Sequence, residues 1–106
     1  MTTFDERERG FEKLFAQDAE LMFKASARRN RLVGVWAAEK LGLSAKDAEA
    51  YAESLVIADV DKPGSDSVFK KVRADFKIKG VVQSDHQIRR TLDEFMTQAV
   101  AEMKSG

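Results

Sequence analysis

Apolar residues recur at helical spacing along most of the chain, in four segments separated by short breaks. The first segment predicts a helix from near Thr3 to Leu41, followed by Gly42, a residue suited to a left-handed helix end. Its opening stripe is aromatic. Phe4, Phe11, Phe15 and Met22 fall within about 40° of one another on a wheel at roughly 100° per residue. Between them stands a dense run of charge: Asp5, Glu6, Arg7, Glu8, Arg9, Glu12 and Lys13. A narrow apolar stripe on so charged a rod suits docking into another protein's groove, and it also suits the edge helix of a bundle. Further along, Leu21, Ala25, Leu32 and Trp36 form a second stripe rotated from the first, with Asp18 and Arg29 near the boundary. A carboxylate at that boundary resists burial unless it finds a partner. Contact with the rest of the fold is therefore expected to begin near Leu21.

The remaining segments read as three shorter helices. Ser44 with Asp47 resembles an acidic capping box, and Ala48, Tyr51, Ala52, Leu55 and Val56 follow on one face, with Val60 near the end. The stretch Asp61-Lys62-Pro63-Gly64-Ser65-Asp66-Ser67 is the one clear loop. A third helix is expected after Ser65 or Asp66, with Val68, Phe69, Val72 and Phe76 inward and Lys70, Lys71, Arg73, Asp75 and Lys77 outward. Gly80 ends it, and Val81 and Val82 are expected to cross back over the core. Ser84 with Gln87 makes a good capping box for the last helix, whose inner stripe is Ile88, Leu92, Phe95, Met96, Ala99, Val100 and Met103. Gly80 breaks the one candidate strand, Lys77 to Val82. The class is all-α: a four-helix bundle, with short connections favouring antiparallel neighbours.

Energetics divide the chain into an arm, residues 1–17, and a four-helix domain, residues 18–106. Burying an aromatic side chain contributes roughly 1.5–3 kcal/mol, whereas ordering each backbone residue costs roughly 1–2 kcal/mol. Phe4, Phe11 and Phe15 alone do not offset so many ordered residues, and Gly10 adds about 1 kcal/mol against helix relative to alanine. The arm is thus expected to be frayed or flexible when free and helical when bound.

Composition narrows the function classes. The chain has 106 residues, one domain's length, and 18 basic side chains balance 18 acidic ones. Zero net charge argues against general nucleic-acid or anionic-membrane binding. No cysteine is present, which excludes disulfides and thiol chemistry. No apolar run approaches the ~20 residues of a membrane span, and the acidic opening MTTFDERERG does not read as a secretory signal. The carboxylates sit in no catalytic setting, there is no phosphate loop or nucleophile motif, and one histidine without cysteine makes no usual zinc set. The expectation is a non-enzyme without metal. Trp36 and the last helix's Met96 and Met103 read as core, and His86 as an exposed first-turn residue.

The stretch FDERERGFEKLFAQDAELMFKASARRNRLVGVWAAEKLGLS resembles the start of the zeta subunit, the ATPase inhibitor, of alphaproteobacterial F-type ATP synthases. The resemblance continues through DAEAYAESLVIADV, VFKKVRADF and SDHQIRRTLDEFM, covering essentially the whole chain. It implies a compact four-helix domain preceded by an inhibitory arm that enters a closing cleft between subunits of the ATPase head. The implied partners are the alpha, beta and gamma subunits, the protein being a monomer when free. The implied place is the cytoplasm, at the inner face of the cell membrane through the synthase. Carried onto this sequence, the inhibitory role falls on Thr2 to Gln17, with Phe4, Phe11, Leu14 and Phe15 as apolar contacts and Arg7, Arg9 and Lys13 as partners for acidic groups. A wedge binding one conformational state of a cycling machine biases that state by differential affinity.

One alternative concerns Lys24, Arg28, Arg29 and Arg31, the strongest basic cluster. They suit a phosphate, hence weak ATP or ADP binding and a small helical nucleotide sensor. They suit better pairing with Glu39, Asp59 or another helix's acids, since no glycine-rich loop accompanies them.

Overall fold

Helix ends are written into the local sequence, and the computed structural model, which describes residues 19–62 and 66–105, realises them. The described residues form four helices: α1 (Ala19–Leu41), α2 (Ala45–Asp61), α3 (Ser67–Lys79) and α4 (Asp85–Ser105). Ser44 caps α2, its hydroxyl accepting from the Asp47 amide at 3.2 Å. At α4 the full reciprocal box closes: the Ser84 amide donates to Gln87 Oε1 (2.9 Å) and the Gln87 amide to Ser84 Oγ (3.1 Å). Gly42 and Gly80 adopt φ of 73° and 72°, which lets the next amide turn back onto the helix. Leu43 N thereby reaches Ala38 O (3.0 Å), and Val81 N reaches Phe76 O (2.9 Å). Asp66 opens α3 with φ 61° and leaves the cap unmade by its side chain. Its carboxylate instead accepts from Arg89 of α4 at 3.2 Å.

The architecture is the expected all-α four-helix bundle, and α1 is its spine, packing against each of the other three helices. Asn30 of α1 meets Asp59 of α2, and Gly34 of α1 meets Ala52, so the two run antiparallel. Arg73 with Asp85 and Asp66 with Arg89 set α3 antiparallel to α4 in the same way. The core gathers Val33 and Ala37 from α1, Leu55 from α2, Val68, Phe69, Val72 and Phe76 from α3, and Ile88 and Leu92 from α4. Trp36 packs on its edge, its ring 5.5 Å from that of Phe76, in keeping with a core role.

Four expectations need correction. On α1 the buried positions are Ala25, Asn30, Val33, Gly34, Ala37 and Ala38; of the expected stripe only Ala25 is among them, Leu32 and Trp36 are half-buried, and Leu21 is 37% exposed. A helix touching three neighbours buries a broad face, and its small residues let α2 come close. Asp75 is half-buried rather than outward, because its carboxylate accepts from Tyr51 Oη (2.8 Å) and Lys71 Nζ (3.2 Å). That bond and burial push the Tyr51 hydroxyl above its ordinary pKa, desolvation being the larger cause. Val82 does not cross the core; it is 93% exposed, and only Val81 packs inward. Val60 likewise leaves the inner face of α2 and stands 48% exposed.

Candidate functional site

The expected arm and its contact residues, Phe4, Arg7, Arg9, Phe11, Lys13, Leu14 and Phe15, lie outside the described residues. The described chain begins where that arm would join the bundle, and there the surface is concave. The first turns of α1 and the last turns of α2 flank a groove of 280 Å³. Met22, Phe23 and Ala27 form one wall and Val56 and Val60 the other, with Asn30 and Asp59 also lining it. Phe23 is 57% exposed. Met22 also borders a second cleft of 320 Å³, bounded by Arg29, Phe69 and Leu92.

Asn30, beside this groove, is the one buried polar residue among those described. It is satisfied on both sides: its Oδ1 accepts from Arg29 Nε (3.0 Å) and its Nδ2 donates to Asp59 Oδ2 (3.1 Å). Burial lowers the pKa of the Arg29 guanidinium, while the charges of Asp59 and Asp93 push the other way. This links α1 to α2 through a paired amide rather than through a bare charge. Asn30→Ala strands the Asp59 and Arg29 groups that it joins, so it is expected to cost about 2 kcal/mol in urea unfolding. Arg28→Gln, at an exposed ion pair, is expected to change stability by less than about 0.5 kcal/mol.

The basic cluster divides among separate acidic partners. Lys24 pairs with Glu20 (3.1 Å) along α1, and Arg28 reaches across to Glu102 of α4 (3.3 Å). Arg29 turns to Asn30, with Asp59 and Asp93 acting on its charge, and Arg31 is exposed. Of the two acids named as partners from the sequence, Asp59 bonds Asn30 and acts on Arg29 only through its charge, and Glu39 lies on the exposed face. Among the described residues, no group of three or more His, Cys, Asp or Glu side chains could hold a metal ion. None of their helices is long and apolar enough to cross a membrane.

The family model for ATPase inhibitor subunit zeta matches residues 1–102, nearly the whole chain. The chain belongs to that family. The zeta family's description is that of a regulator of an ATPase, not of a catalyst, and it agrees with the resemblance carried by the DERERGFEKLF and RRNRLVGVWAAEKLGL stretches. A solved structure determined by solution NMR is 38% identical, with a TM-score of 0.69, and the alignment covers 80% of this zeta-family chain and 96% of the other. No curated protein matches.

Asn30, Gly34 and Phe23 carry the site's geometry but do not stand out in the hydrophobic pattern. The available signal is their type: an amide and a glycine interrupt an otherwise apolar or charged helix, and such breaks have a packing reason.

Proposed function

We propose that this chain inhibits ATP hydrolysis by an F-type ATP synthase, its leading segment, residues 1–17, entering a cleft between subunits of the catalytic head. The observation that carries this reading is the zeta-family match, which begins at residue 1 and so includes the leading segment. The chemistry of that segment supports it. Phe4, Phe11, Leu14 and Phe15 supply apolar contacts, and Arg7, Arg9 and Lys13 supply charges for acidic groups in the alpha, beta and gamma subunits. Residues 18–106 act as the domain that carries the arm. The protein works as a non-enzymatic regulator, monomeric when free, on the cytoplasmic side of the membrane that holds the synthase.

A helix wedged in a cleft that must open and close arrests the cycle without entering the chemistry. Its effect is limited by how much better it binds one state than the others. Titration onto purified ATPase heads tests the reading. Phe11→Ala with Phe15→Ala removes two anchors of roughly 1.5–3 kcal/mol each, so half-inhibition is expected to need about 100-fold more protein or beyond. An unchanged inhibition curve overturns the arm as the inhibitory element.

A further inference from the structure

We propose that the groove between the start of α1 and the end of α2 is the second half of the docking surface, taking an apolar segment of the same ATPase head that the arm engages. This rests on the arm reading above. Continuity is the first argument. Met22 shares its wheel direction with Phe4, Phe11 and Phe15, and Met22 is also a wall of the groove. Continued as helix at 1.5 Å per residue, the chain separates Phe15 from Met22 by only about 10 Å. A partner surface that covers the aromatic stripe therefore meets Met22 next, and Phe23 and Val60 line the same groove beside it.

Exposure is the second argument. Scattered exposed apolar side chains are ordinary on a protein surface. Here Phe23, 57% exposed, and Val60, 48% exposed, face a shared concavity across two helices, with Val56 and Met22 half-buried behind them. Lys24, the cation within this stretch of α1, is held by Glu20 at 3.1 Å. Asn30 and Asp59 satisfy each other beside the groove, so an apolar guest leaves that amide paired.

The groove fits this occupant better than two others. A second copy of the chain needs a stable interface, typically above about 1,200 Å², and a 280 Å³ groove is one small part of that. In the bound state proposed above, the chain's own leading segment is engaged with the head and so does not fill the groove.

The full chain carrying Phe23→Gln and Val60→Gln tests the proposal on purified ATPase heads, beside the Phe11→Ala, Phe15→Ala chain. Both groove positions are about half exposed, so the melting temperature is expected to hold; Phe23→Gln alone provides a second, milder variant. The expected result is about a tenfold rise in the concentration for half-inhibition, with a smaller rise for the single variant. Unchanged inhibition by the groove variants, with inhibition lost in the Phe11, Phe15 chain, overturns the groove and leaves the arm. Tighter inhibition by the groove variants also overturns the proposal, because it shows the groove sheltering the chain's own arm. Unchanged inhibition by both sets removes the arm reading and this proposal with it.

Discussion

A chain lacking residues 1–17 is expected to lose inhibition of ATP hydrolysis altogether while unfolding at nearly the temperature of the full chain. The two halves of this expectation have separate physical grounds. Stability resides in a core to which all four described helices contribute. Phe76, Leu55, Val72, Val33 and Ile88 are buried there to 2% exposure or less. The capping box of α4, the Ser44 cap and the tight turns at Gly42 and Gly80 are local and lie after residue 19. None of these contacts is removed by the deletion. Inhibition, by contrast, loses four large apolar side chains together with Arg7, Arg9 and Lys13. At roughly 1.5–3 kcal/mol per buried side chain, the affinity lost exceeds any useful working range, since each 1.4 kcal/mol is about tenfold. Turnover of purified ATPase heads with each chain, beside circular-dichroism melting of each, measures both halves. Equal inhibition by the truncated chain rejects the arm. A collapse of its melting transition rejects the division at residue 17.

The local sequence specified the helix ends well because caps and terminators act over four to six residues. Ser84 with Gln87, Ser44, Gly42 and Gly80 all perform the role that their neighbours imply. The inner faces of α3 and α4 were also legible: each presents one apolar stripe, through Val72 and Phe76 or through Ile88 and Leu92, to one core. The face of α1 was not. Its contacts fall mainly on α2 and α4, so it buries a broad face set by contact geometry rather than a single stripe, and small residues such as Ala37 and Ala38 are buried while Leu21 is 37% exposed. Nor does a helical wheel reveal that Asp75 has a hydroxyl donor from another helix. The basic cluster at Lys24, Arg28, Arg29 and Arg31 illustrates the same limit. Residues adjacent in sequence fan out around a helix, and these four meet different surroundings. The expected arm residues were legible only as chemistry, an aromatic stripe amid charge, and lie outside the described residues.

The spine's closeness to α2 gives the second large expected effect. Gly34→Ala is expected to lower the stability of the fold by about 2 kcal/mol, although alanine is the better helix former. Two opposing terms decide the sign. Replacing glycine by alanine inside a helix gains about 1 kcal/mol of propensity. Against this, a Cβ at position 34 would overlap Ala52 Cα, stand 2.6 Å from Ala52 Cβ and 3.2 Å from Ala52 N. These are largely backbone atoms of α2, which no side-chain rotation moves away, so the helices must separate. Overpacking a tight contact costs typically 1–3 kcal/mol and sometimes more, and a clash with backbone belongs at the upper end. The net loss corresponds to about 10 °C in melting temperature for a domain of this size. Separation of α1 from α2 also stretches the neighbouring Asn30–Asp59 bond and widens the groove between Phe23 and Val60. Gly34→Val has more to fit and is expected to abolish cooperative unfolding. Ala52→Gly placed beside Gly34→Ala removes the Cβ conflict but not the Cα conflict, so it should restore part of the loss. Thermal melting of the three variants measures this directly, and a Gly34→Ala chain that melts at or above the original temperature shows that α1 and α2 do not touch there.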